Sequence, residues 1–323
     1  MVPTGEVNLA HLFPGQGAQE VGMGFDLWRR YDCVKKVFQM AEDIYGEPLG
    51  KICFNGPFRE MQRTDRAQIL IGVVNLSAFL VLRELGIEPD VVAGHSAGEI
   101  SAAFAAGAIG LEDTLKLISL RGKYMYEAAL ACKGRMLAVL GISEKAVADL
   151  VEMHRGDGDL SIGNCNAPTE HVVTGDMDRV TALEKDVIAG GVGRVVDLKQ
   201  QGAWHSAQML PAQIRFAEAL GKTDIHTPHT PFLLNYSSEF VKDTDDLRLQ
   251  LSSILSSTVQ WTSCLRVLAS LRPKCYCECG HGKILRGLLR KNFRNSETYQ
   301  IYSAATPQSI EVFMRNQRRE LAV

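Results

Sequence analysis

The segment Gly94-His95-Ser96-Ala97-Gly98 places a serine between small residues, directly after the apolar run VVAG (91–94) and before the Ala-rich run GEISAAFAAGAI (98–109). A strand that turns sharply into a helix lifts a serine hydroxyl clear of the backbone. The small neighbours let strand and helix approach each other. The first turn of the helix brings free N–H groups and the positive end of its dipole, so the Ala97 amide is a candidate oxyanion donor. A serine nucleophile needs a base. His95 is adjacent, but neighbouring side chains on a sharp turn diverge, so the base is expected from elsewhere. Among the other histidines, His205 in QGAWHSAQM stands just after the apolar run RVVDL (194–198), where two parts of the chain would meet.

A second glycine turn, HLFPGQGAQEVGMG (11–24), follows the first apolar run and lies at the sheet edge where α/β folds bind ligands. A backbone N–H of this turn could serve the same oxyanion. Neither a P-loop nor a G-x-G-x-x-G pattern is present, so nucleotide binding is not expected. Cys275, Cys277, Cys279 and His281 alternate, as one face of a strand would. Ligands strung along one line close poorly around a metal, so core packing is the expected role and no metal site is assigned.

The elements that must hold these residues read as α/β. Short apolar runs (10–13, 91–94, 135–141, 171–175, 194–198, 232–235, 275–279) alternate with helical stretches such as 68–85 and 114–130. The middle reads β-α-β-β-α-β, a ferredoxin-like order. The expected architecture is an α/β-hydrolase-like domain with a parallel sheet and a nucleophile elbow, made of residues 1–131 and 199–323. A ferredoxin-like subdomain, 132–198, is inserted into it. A short strand, a helix and a basic tail are expected after residue 300. The net charge of -2 gives no push towards nucleic acid or anionic membrane. No apolar run is read as a membrane span, and MVPTGEVNLAHLF lacks the pattern of a secretory signal. Eight scattered cysteines suggest reduced thiols and a cytoplasmic setting.

In order along the chain, FPGQGAQ (13–19), GHSAGE (94–99), SLRGKYM (119–125), NCNAP (164–168), GAWHS (202–206), VQW (259–261) and GHGKIL around His281 resemble the malonyl-CoA:acyl-carrier-protein transacylase family. That family includes stand-alone fatty-acid enzymes and polyketide acyltransferases. The resemblance implies a Ser-His dyad: Ser96 as acyl-accepting nucleophile and His205 as base and then acid. It implies that the Gln260 main-chain carbonyl orients His205, that the Gln16 and Ala97 amides form the oxyanion hole, and that Arg121 pairs with the malonyl carboxylate. Asn166 and Trp204 would face substrate. The implied reaction moves a malonyl group from malonyl-CoA to the phosphopantetheine thiol of an acyl carrier protein, for polyketide or fatty-acid synthesis, with no bound cofactor and no metal.

Carrier proteins of this kind are typically acidic. KILRGLLRKNFRN (283–295), with Lys283, Arg286, Arg290, Lys291 and Arg294, is a candidate docking face, although a solvated helix face explains the charges equally well. Departures from the family pattern are Ala97, Trp204, Ala207-Gln208 and Ile69. Trp204 would crowd a branched acyl group and Ala97 would open space, so the two push specificity in opposite directions. Two rivals stay open: an acyl hydrolase of the same family, and a non-catalytic carrier-docking module.

Overall fold

The computed structural model describes residues 2–3, 5–293 and 299–320. Five short strands form one parallel sheet: β1 (Leu9–Phe13), β2 (Val91–Gly94), β7 (Phe232–Leu233), β8 (Cys275–Glu278) and β9 (Gln300–Ser303), in the order β7-β2-β1-β8-β9. The first four are buried along their whole length, as expected of a sheet covered on both faces. Four strands form a separate antiparallel sheet: β3 (Gly134–Leu140), β4 (Leu160–Ala167), β5 (Glu170–Asp176) and β6 (Arg194–Asp197), in the order β4-β5-β3-β6. With helices Glu144–Arg155 and Met177–Gly190 in the crossovers, this is the ferredoxin-like order read from the sequence.

The two faces of the small sheet do different work. Leu137 and Val139 of β3, with Val173 of β5, pack under its two helices and make a second core with Val147, Val151 and Leu183. The alternate residues Met136, Ala138 and Val172 face the other way and join the main core. The small sheet thus presents an apolar wall to the large one. Its β4 edge is tied to the large part of the chain by a parallel bridge between Asn164 and Val259.

Helix Thr64–Glu84 runs through the main core and is buried at nearly every position from Ala67 to Leu82. Contrary to the sequence reading, it is long and apolar enough to span a membrane, yet 94% of its apolar window lies inside the protein. A helix apolar on every side is equally at home in a core. The alternating cysteines behave as expected up to a point. Cys275 and Cys277 are buried in β8 and Cys279 directly after it, but His281 lies beyond the strand and bonds Glu20 at 2.9 Å. His11 of β1, opposite Cys277, joins Cys277 and Cys279 instead, the three within 4.8 Å of one another. Burial lowers the His11 pKa to about 3, so its ring is neutral.

β1 ends at Phe13, whose carbonyl accepts the His95 N–H at 2.9 Å and holds the glycine turn after β1 against the end of β2. Gly98, at the start of helix Gly98–Ala105, is pressed onto that carbonyl: a Cβ there would lie 2.1 Å from the Phe13 oxygen. Neither partner is a side chain that can rotate away. Gly98→Ala is therefore expected to destabilise the fold by about 2 kcal/mol or more. Urea unfolding at equilibrium measures this, and a loss within experimental error would show that helix and strand can separate without cost.

Candidate active site

The strand-to-helix turn puts Ser96 at φ 52°, in the left-handed region, between β2 and helix Gly98–Ala105. That conformation costs a non-glycine residue of order 1–3 kcal/mol and is held by its surroundings. The Ser96 N–H donates to Asn235 Oδ1 at 2.7 Å, and the Gly98 and Glu99 amides close the turn onto the His95 and Ser96 carbonyls. His95 turns away from the serine. Its Nε2 meets Asn166 Oδ1 at 2.9 Å and its ring packs edge-on against Trp261.

The base arrives from the segment after β6. His205 Nε2 lies 2.8 Å from Ser96 Oγ. His205 is also at positive φ, 64°, and is 4% exposed. Its Nδ1 lies 2.6 Å from the Ile254 carbonyl, and its backbone N–H donates to the Leu255 carbonyl at 3.1 Å. The Gln260 carbonyl does not orient this ring. Gln260 is the N-cap of helix Trp261–Ser270, so its carbonyl already accepts the Cys264 N–H, at 2.9 Å. Ile254 instead follows helix Thr244–Ser253, at an end where carbonyls lack intrahelical donors and carry the negative end of the dipole. With Nδ1–H on Ile254, Nε2 is left as an acceptor facing the serine hydroxyl. Desolvation, and then the charge of Arg121, push the His205 pKa down to about 3.

Arg121 comes from helix Leu111–Ala131 and is 1% exposed. Its Nη1 donates to Gln68 Oε1 at 2.7 Å and its Nη2 to Ser96 Oγ at 3.3 Å. Burial lowers its pKa to about 10, so it stays charged at neutral pH. Among the described residues no carboxylate lies within ion-pair distance of it. Among the described residues its hydrogen-bond partners are all neutral, and only the buried Glu99 carboxyl supports its charge from a distance, which leaves a site for an anion.

The Ala97 and Gln16 amides have no hydrogen-bond partner among the described residues. They border the same point. Gly15, just before Gln16, is packed so closely that a Cβ would lie 2.3 Å from the His95 carbonyl and 3.5 Å from the Ala97 nitrogen. The Gln16 side chain is tied down separately, to Gln200 at 2.8 Å and Thr64 at 3.2 Å. These groups open into a cavity of about 320 Å³. Its far wall is the inner face of the small sheet, with Met136, Ala138 and Asn166, and Trp204 closes one side. The Trp204 Nε1 donates to Gln200 at 3.3 Å. The sequence-predicted Ser96, His205, Arg121, Gln16, Asn166 and Trp204 thus all line one cavity.

The chain matches the family model described as "Acyl transferase domain" over residues 10–306. The chain belongs to this acyl transferase family. It is 31% identical over 313 residues to the malonyl CoA-acyl carrier protein transacylase of Bacillus subtilis (strain 168), covering 97% of this chain and 98% of that relative. The crystal structure of malonyl-CoA:acyl carrier protein transacylase from Xanthomonas oryzae pv. oryzae superposes with a TM-score of 0.91 at 30% identity, over 96% of this chain and 98% of that one. A type II PKS acyl-carrier protein in complex with its malonyl-transacylase provides a further match, with a TM-score of 0.91 at 27% identity, over 96% of this chain and 99% of that chain.

Sequence reasoning missed Asn235, Ile254, Gln68 and Gln200 at this acyl transferase site. Asn235 left one signal, a polar residue closing the apolar run FLLN. Ile254 acts through its backbone and left none. The basic segment falls on helix Ile284–Asn292, whose Ile284, Leu285 and Leu288 rim the cavity. Arg286 pairs with Glu278 and Lys291 with Glu170, whereas Lys283 and Arg290 are exposed. Arg294 lies outside the described residues.

The His205 ring is expected to remain neutral well below the ordinary histidine range. In NMR its Cε1–H shift should stay constant from about pH 8 to about pH 5, where an unperturbed histidine would titrate near 6.5. A midpoint near 6.5 would mean that water reaches the ring.

Proposed function

We propose that this acyl transferase carries malonyl groups from malonyl-CoA to the phosphopantetheine thiol of an acyl carrier protein, in fatty-acid or polyketide synthesis. The observation that carries this reading is Arg121: a buried cation without a carboxylate partner among the described residues, its Nη2 3.3 Å from the Ser96 hydroxyl. A malonyl thioester has a carboxylate one methylene from the carbonyl that the serine attacks. Bidentate pairing with the guanidinium would hold that carbonyl over Ser96.

The steps follow from the geometry. Ser96 Oγ attacks the thioester carbonyl while its proton passes to His205 Nε2, 2.8 Å away. The Ala97 and Gln16 amides receive the developing oxyanion. The carbonyl re-forms, the C–S bond breaks, and CoA leaves as a thiol with the proton from His205. The carrier's thiol then attacks the acyl-serine, His205 takes its proton and returns one to Ser96, and the malonyl thioester departs. The Ile254 carbonyl keeps Nδ1 protonated throughout. This chemistry calls for no metal or bound cofactor.

For the carrier, Lys283 and Arg290 are exposed at helix Ile284–Asn292, without an ion pair among the described residues, beside the ion-paired Arg286 and Lys291. The same reading divides the chain into 1–131 with 199–323 and an inserted 132–198, and places the enzyme in the cytoplasm. A hydrolase of neutral acyl chains would have no use for the charge of Arg121. A docking module would have no use for a serine bonded to a neutral histidine.

Intact-protein mass spectrometry across a panel of acyl-CoAs tests this. Malonyl-CoA should add one malonyl group to Ser96, stable until a carrier thiol is supplied, and Ser96→Ala should abolish it. Formation of an acetyl enzyme alone, or immediate hydrolysis, would refute the transferase. Arg121→Ala should slow malonyl loading by about 100-fold and change acetyl loading little, because a charge-assisted pair contributes about 2–3 kcal/mol. Equal losses for both acyl groups would make Arg121 structural.

A further inference from the structure

Asn235 follows β7, 139 residues after the serine in sequence, and is fully buried. Its side chain bridges the two ends of the sharp turn. Oδ1 accepts the Ser96 N–H at 2.7 Å, and Nδ2 donates to the Gly94 carbonyl at 2.6 Å. Its own backbone is clamped as well. The Asn235 N–H donates to Glu99 Oε1 at 2.6 Å, and its carbonyl accepts the Gln260 N–H at 3.0 Å. Glu99 is buried three residues after the serine, on the helix that the turn feeds. A closed circuit therefore runs from Gly94 through Asn235 to Ser96, and from Asn235 through Glu99 back to the same turn.

We propose that Asn235 is the positioning residue of the nucleophile: its carboxamide holds Ser96 in the left-handed conformation and occupies the Ser96 amide, so that the Ala97 and Gln16 amides alone are left for the oxyanion. This rests on the reading of Ser96 as the acyl-accepting nucleophile.

The physical case has three parts. A non-glycine residue at φ 52° relaxes unless its peptide groups are fixed from outside, and Asn235 holds both the Gly94 carbonyl and the Ser96 amide. Only a planar group with an acceptor on one arm and a donor on the other fits those two partners, which a carboxamide provides. The cage is buried, so removing the side chain would strand an N–H and a C=O without water. Glu99 Oε2 has no hydrogen-bond partner among the described residues, and desolvation raises the Glu99 pKa to about 8, so this carboxyl is largely neutral at pH 7 and puts little negative charge beneath the oxyanion site.

The test compares Asn235→Ala and Asn235→Asp with the wild type. The number of reactive serines is first titrated with a fluorophosphonate, and the acylation rate per titrated site is then measured with malonyl-CoA. Asn235→Ala should lower the per-site rate by about 100-fold, with the half-saturating malonyl-CoA concentration little changed, since the loss is one of alignment and not of binding. A protonated aspartate has the same acceptor and donor arms as asparagine, whereas an ionised one turns an anion towards the Gly94 carbonyl. The rate of Asn235→Asp, as a ratio to wild type, should therefore rise as pH falls from about 8 to about 5.5, over which His205 stays neutral. Wild-type per-site rates in Asn235→Ala, with only the number of reactive serines reduced, would overturn the proposal. So would an Asn235→Asp enzyme as slow as Asn235→Ala at every pH. If the wild type reacts with the fluorophosphonate but not with malonyl-CoA, the substrate reading fails instead. The same two variants, compared by phosphonylation rate, then still decide the role of Asn235.

Discussion

The close approach of two backbones, the turn after β1 and the turn at Ser96, is the constraint on which the rest of the site depends. The Phe13 carbonyl bonds the His95 amide while Gly98 leaves no room for a side chain between helix and strand. Because the contact is backbone against backbone, it is stiff, and it sets the Gln16 and Ala97 amides beside one another. It also forces Ser96 into a left-handed conformation that must be held, and Asn235 and Glu99 are placed to hold it. Strain, nucleophile and oxyanion donors thus share one cause.

Electrostatics adds a second constraint. Arg121 and His205 line one cavity, and each is buried and shifted by that burial against its charged form. They are not shifted equally in effect. An arginine lowered to about 10 remains a cation at neutral pH, whereas a histidine lowered to about 3 becomes a stable neutral base. The arginine charge reinforces the neutrality of the histidine. A bound carboxylate would offset that charge and make the imidazole more basic when a proton has to be moved.

The small sheet completes the cleft. Its inner face supplies the far wall, and helix Ile284–Asn292 is fastened to it: Asn292 Nδ2 donates to the Asn166 carbonyl at 2.9 Å, and Lys291 pairs with Glu170. Asn166 in turn bonds His95, so the cavity rim, the small sheet and the nucleophile turn form one connected network.

Much of this was legible in the sequence because it depends on local pattern. Alternation and apolar runs marked the strands, the β-α-β-β-α-β order marked the small sheet, and small residues around Ser96 marked the turn. Ser96 and His205 could be singled out because each is a reactive side chain in an unusual setting, whereas Arg121 was named through the family resemblance of SLRGKYM. Helix Thr64–Glu84 shows the limit of such reading, since an apolar stretch does not reveal whether lipid or protein surrounds it. The partners of these residues were decided by tertiary structure alone. Which carbonyl orients His205 depends on the path taken by residues 254–260, and the chain places Ile254 there instead of Gln260. That the cage around Ser96 closes through Asn235 depends on β7 lying beside β2. Carbonyls are identical in every residue, and contacts between distant segments leave no periodicity, so the sequence named the reacting groups and the fold decided what holds them.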